Sequence, residues 1–87
     1  MSDPDQIPCK EFFNLAIRVA VLREGLTLTD TAVRAGIPRT TFYDRLHGLK
    51  AWSIEQLCKI ADVLFDNGFD DLAEAAKEEA RRVGASV

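Results

Sequence analysis

Imidazole and sulfur are scarce in this chain of 87 residues, which has one histidine and two cysteines, Cys9 and Cys58. The cysteines lie far apart with no CxxC pair, so zinc-site spacing is missing and reduced, idle thiols are expected. One histidine leaves little for a proton relay. There is also no nucleophile elbow, no phosphate-cradling glycine loop and no carboxylate pair with a reason to be buried. Glu78–Glu79 and Asp70–Asp71 are sequential acids, which do not face each other on a helix, and we read them as surface neighbours. Long hydrophobic runs are absent too. The richest apolar stretch is broken by Arg18 and Arg23 and is too short to span a bilayer. The opening MSDPDQIPCK has no basic lead into an apolar run, so a signal peptide is not expected. Strand-period alternation, internal repeats and low-complexity runs are also missing. The expectation is a cytosolic, all-helical protein that is not an enzyme and needs no cofactor or metal.

What the chain does have is 47% hydrophobic and 29% charged residues, the balance of one small folded domain with a single core. Its most informative window is Leu26 to Gly48, LTLTDTAVRAGIPRTTFYDRLHG. Thr27 and Asp30 have the spacing of a reciprocal N-terminal cap. Thr31, Ala32 and Ala35 then recur at helical spacing, and Gly36 ends that helix where a positive φ is required. Pro38 cannot continue the old helix and suits the first turn of a new one. Phe42, Leu46 and Tyr43 supply apolar positions to the second helix, and Gly48 closes it. Arg39, Thr40, Thr41, Asp44 and Arg45 are left for its exposed positions. Two short helices and a tight turn form a helix-turn-helix, the second helix being suited to a DNA major groove.

The flanks are also helical. Residues 1–8, with Pro4 and Pro8, read as a flexible arm before a domain spanning residues 9–83. A first helix from about Cys9 to Glu24 is apolar on more than one stripe, through Phe12, Phe13, Leu15, Ala16, Ile17, Val19, Ala20, Val21 and Leu22. Either it is the central core element or a partner covers part of it. Ser53 and Gln56 repeat the capping-box spacing before a fourth helix whose core face is Ile54, Leu57, Ile60, Ala61 and Leu64. Trp52, in the preceding loop, is expected to cover the core. A turn at Asp66-Asn67-Gly68 leads to a fifth helix at about residues 70–83. There Leu72, Ala76, Ala80 and Val83 form a stripe, and Glu78–Arg82 is a favourable i,i+4 pair.

The two-helix window resembles the lambda-repressor and Cro-like (XRE) family, whose pattern reads roughly LTQxxLAxxxGVSxxTISxxExG. Leu26, Thr27, Ala32, Gly36, Ile37, Thr41, Phe42 and Gly48 fall on it without a gap. Ser53 to Leu64, SIEQLCKIADVL, is similar to that family's SLETLLKIAKAL-type fourth helix, so the likeness runs from about Ile17 to Leu72. Leu28 departs from the family's Gln, and Pro38 from its capping Ser or Thr. The resemblance implies a compact five-helix domain that binds duplex DNA through the second and third helices.

Charge is distributed to match. Arg34, Arg39, Arg45 and Lys50 stand against Asp30 and Asp44, a net of +2 over residues 25–50 in a chain whose total is −3. Arg39, Thr40, Tyr43 and Asp44 are the candidate base-reading residues. The guanidinium of Arg39 matches the two acceptors of guanine, or else meets phosphate. Asp44 either accepts from a cytosine amino group or pairs with Arg39 or Arg45. Tyr43 touches a thymine methyl or packs half-buried. Thr27, Thr29, Thr41, Arg45, His47 and Lys50 are the candidate DNA-backbone contacts, with a helix cap as the alternative for His47. Leu72, Ala76, Ala80 and Val83 are the candidate dimerisation stripe, or they fold back on the first helix. The function expected is a nucleoid-associated repressor of the phage immunity or Cro type. It would bind its operator as a homodimer and block a promoter, with no membrane and no small-molecule ligand. The rivals are a protein-interaction module (an anti-repressor or adaptor) and an antitoxin that keeps the fold.

Overall fold

Helix boundaries in this chain are written by caps and glycines. The computed structural model describes residues 10–85, with side chains from Glu11 to Arg82. Within these limits are α1 (Lys10–Arg23), α2 (Leu28–Ala35), α3 (Arg39–Leu46), α4 (Ile54–Leu64) and α5 (Phe69–Ala85). No strand occurs among the described residues. The expected arm at residues 1–8, the Cys9 helix start and the Val83 side chain lie outside them. The fifth helix is longer than expected, because Phe69 already belongs to its first turn.

At α2 the Thr27 hydroxyl accepts from the Asp30 N–H at 3.0 Å, and the Asp30 carboxylate accepts from the Thr27 N–H at 3.3 Å. At α4 the Ser53 hydroxyl accepts from the Gln56 N–H at 3.1 Å, and Gln56 Oε1 accepts from the Ser53 N–H at 3.0 Å. Both capping boxes form as their spacing foretold. Pro38 differs from expectation. It is the N-cap of α3 rather than a residue of its first turn, and no side chain caps that helix. Proline fits because its φ of −55° is near the ring's natural value and its missing N–H would have had no helical partner.

The first three helices end by one device. After α2, the Gly36 N–H donates to the Val33 carbonyl at 3.1 Å and the Ile37 N–H to the Ala32 carbonyl at 3.0 Å. This pair of bonds satisfies two orphan carbonyls and needs a left-handed residue between them. Gly36 supplies it, with φ 70° and ψ 29°. The same pair closes α1 through Gly25 and Leu26, and α3 through Gly48 and Leu49.

The core gathers one face from each helix. Ile17, Phe42, Ile60 and Leu72 are wholly buried, with Phe13, Val21, Ala32, Leu46, Ala61 and Ala76 around them. Burying side chains of this size is worth about 1.5–3 kcal/mol each. The most extensive helix contact joins α1 to α5. The core position of α1 is therefore confirmed for one of its faces, while Val19 and Leu22 on the other stay exposed. Leu72 and Ala76 are entirely buried inside this single chain, and Ala80 is half-buried. The expectation of a dimerisation stripe on the fifth helix is thus corrected: its central residues already belong to the chain's own core. Two smaller expectations are corrected as well. Glu79 is buried rather than a surface neighbour of Glu78, and Arg82 meets its carboxylate at 3.5 Å. Ile54, expected on the core face of the fourth helix, is exposed.

A β-carbon on Gly36 would meet nothing within 4 Å, so a substitution there tests backbone strain alone. Gly36→Ala is expected to cost about 1–2 kcal/mol. In a domain of this size each kcal/mol lowers Tm by about 4–8 °C. An unchanged melting curve would mean that the turn is not left-handed.

Candidate nucleic-acid interface

Phe42 and Leu46 point inward from α3 one helical turn apart, and both are buried. With 3.6 residues per turn, that choice sends Thr40, Asp44 and His47 to the opposite side and Tyr43 to a flank, whereas Arg39 lies above the buried stripe as the first residue of the helix. Arg39 and Thr40 are exposed at the front of the helix, and His47 and Lys50 are exposed at and beyond its end. Tyr43, Asp44, Thr41 and Arg45 are half-buried. Of the candidate base-reading residues, Thr40 and Asp44 therefore share the outward side of α3, Tyr43 flanks it and Arg39 stands at its leading end.

Several of them are braced. Tyr43 and Thr29 share a hydrogen bond between their hydroxyls at 3.3 Å, tying the centre of α3 to the start of α2. The Tyr43 ring lies edge-on to Phe42, at 6.1 Å and 86°, and is stacked with the His47 ring at 6.1 Å and 19°. Tyr43 is thus packed and half-buried, the structural one of its two expected roles, and a base contact is compatible with it. Arg45, expected to reach the DNA backbone, donates from Nε to Gln56 Oε1 at 2.9 Å. This bond braces α3 against α4 through the donor closest to the stem and leaves the two terminal nitrogens of the guanidinium for an anion. Asp44 forms no ion pair with Arg39 or Arg45. The Thr27 hydroxyl oxygen accepts from the cap amide, and its O–H remains to donate outward.

Trp52 covers the core as expected. Its ring is edge-on to Phe42 at 5.6 Å and 70°, and its indole N–H donates to Asn14 Oδ1 at 2.6 Å. This bond carries the α3–α4 loop onto α1 and satisfies a polar side chain buried in the helix face.

Charge pairing is uneven across the molecule. The ion pairs among the described residues are Arg23–Glu24, Lys59–Glu55, Arg81–Glu74, Arg81–Glu78 and Arg82–Glu79. Arg18, Arg34, Arg39, Arg45 and Lys50 have no carboxylate within 4.0 Å among those residues. Of the other described cations only Lys77 shares that property. Unpaired positive charge thus gathers on α2, α3 and their immediate surroundings, and the negative surplus is carried by α4 and α5.

The sequence reading missed two residues here. Gln56 was legible as a cap, but not as the acceptor for Arg45. Arg18, which seemed only to interrupt an apolar run, places Nη2 3.3 Å from His47 Nδ1. Its spacing against the buried residues Ile17, Ala20 and Val21 was the available signal that it faces outward.

No group of three or more metal-ligating side chains comes together among the described residues. Neither a family model, nor a curated protein, nor a solved structure matches the chain.

Gln56 Oε1 serves two donors, the cap amide of Ser53 and the guanidinium of Arg45. Gln56→Ala should therefore destabilise the fold by roughly 1 kcal/mol or somewhat more, read by urea denaturation. Gln56→Glu, which keeps both acceptors, should be close to wild type. Equal losses for both substitutions would show that the amide group itself is needed and that the acceptor is not.

Proposed function

We propose that this chain is a sequence-specific, double-stranded DNA-binding transcriptional regulator, a repressor of the lambda-repressor and Cro-like type that acts by covering promoter DNA. The observation that carries the reading is the gathering of carboxylate-free cations around α2 and α3, with Arg39 and Thr40 exposed at the leading end of α3. Cations already paired to carboxylates must give up those contacts to bind phosphate. Unpaired ones retain full charge for counterion release. In this reading α2 and α3 form the helix-turn-helix and α3 is the recognition helix. Arg39 reads a guanine edge, and Thr40 and the outward edge of Tyr43 contact neighbouring bases. Asp44, which forms no ion pair among the described residues, accepts from a cytosine amino group. Thr27, Thr29, Thr41, His47 and Lys50 hold the backbone.

A surface of this modest charge gains from pairing, because non-specific affinity at physiological salt is typically only about 10⁻⁴–10⁻⁶ M. Two copies on adjacent half-sites of a palindrome double the phosphate contacts and act as one bivalent ligand. The rival reading as a protein-interaction module draws on the acidic α4 and α5. It is the less favoured one, because Glu74 and Glu78 are already engaged by Arg81.

The test is a gel-shift series, with salt varied, on a duplex from the protein's own upstream region and on random duplex. Arg39→Ala should cost about 1–3 kcal/mol on the specific site and little on random DNA. Lys50→Ala should weaken both alike and make the salt slope shallower by about one unit. Equal losses on the two DNAs for Arg39→Ala would reassign it to the backbone, and no binding to either duplex by the wild-type protein would overturn the function.

A further inference from the structure

Arg39, Tyr43 and His47 recur every four residues and so form one ridge along α3. That ridge does not stop where the helix does. Tyr43 and His47 are stacked, and His47 Nδ1 meets Arg18 Nη2 at 3.3 Å, so a residue of α1 prolongs the line by one more cation. We infer that Arg18 is a DNA-backbone contact, binding a phosphodiester oxygen at the edge of the α3 surface. The inference rests on the DNA-binding reading above and adds a third helix to it.

Three features of the surroundings support this. First, Arg18 is half-buried and lines a groove of about 320 Å³ together with Leu15, Leu46 and Gly48 among others, so it is not a fully solvated side chain. Second, its partner is an imidazole and not a carboxylate. Glu11 lines the same groove, yet its carboxylate lies beyond 4.0 Å from the guanidinium. A guanidinium has five N–H donors, and one contact to a ring nitrogen leaves most of them for an anion. No ion pair has to be broken when phosphate arrives. Third, Asn14 in the same groove is almost fully buried and has its Oδ1 committed to Trp52, so its amide can only donate further. The wall of the groove therefore sets an amide donor beside the cation, with the carboxylate of Glu11 as its one acidic member.

The experiment measures binding of random-sequence duplex by fluorescence anisotropy across a salt series, using the full chain. Arg18→Gln should bind more weakly at low salt and have a log–log salt slope shallower by about one unit. Arg18→Lys, which keeps the charge, should retain the wild-type slope. Lys77→Gln removes the same charge from α5 and should also leave the slope unchanged. A wild-type slope for Arg18→Gln, in a protein whose circular dichroism melt is intact, overturns the assignment of Arg18 while leaving the DNA-binding reading in place. An equal loss for Lys77→Gln overturns it too, by reducing the effect to overall charge. If Arg18→Gln fails to fold, the decision passes to Arg18→Lys and an acetylated or otherwise neutralised lysine at that position: an unchanged slope on neutralisation overturns the contact. Absence of any duplex binding by the wild type sinks this inference and the proposed function together.

Discussion

The burial of Phe42 is the constraint on which the candidate interface depends. Its side chain is fully enclosed, between the edge of Trp52 and the apolar faces gathered from the other helices. A helix of only eight residues has little stability of its own and takes its orientation from what it buries. With Phe42 and Leu46 inward, the rotation of α3 about its axis is fixed, and so is the set of side chains that can look outward. Trp52 depends on the same contact, and through Asn14 it ties the loop after α3 to α1. A truncated Phe42 would therefore disturb the aim of the helix as well as its stability.

Electrostatics divides the molecule where packing does not. Four of the five ion pairs among the described residues are exposed, and each of those contributes little to stability; the fifth joins exposed Arg82 to buried Glu79. Their placement is more informative than their strength. They neutralise arginines and lysines on α1, α4 and α5, whereas the cations of α2 and α3 have no carboxylate partner among the described residues. A protein with a net charge of −3 can in this way present one positive side, and the acidic remainder disfavours approach to phosphate in any other orientation.

Local signals were legible in the sequence because they are short-range. Thr27 with Asp30, and Ser53 with Gln56, declare helix starts within four residues, and Gly36 declares a turn because few other residues take its backbone angles at low cost. Five helices and no strand among the described residues followed from periodicity and punctuation. What failed was long-range. The stripe Leu72, Ala76 and Ala80 announces an apolar face, but periodicity does not say whether that face meets a second copy or the chain's own first helix. Arg45 was legible as an outward cation, but nothing within its own helix reveals that Gln56 on the next one also holds it. Arg18 was hidden for the complementary reason: its helix is dominated by core residues, and its partner His47 is twenty-nine positions away. Glu79 is the remaining surprise; its neighbours in sequence are exposed, and only the tertiary packing of α5 encloses it.

The bond between the Trp52 indole and Asn14 has an optical consequence. This is the chain's sole tryptophan, half-buried, edge-on to Phe42 and hydrogen-bonded to α1. Its emission is therefore a label-free reporter of one joint, the docking of the loop after α3 against the first helix. That joint lies beside the residues that would meet a phosphate backbone, so the molecule carries its own spectroscopic gauge of whether α3 is seated, without an added dye.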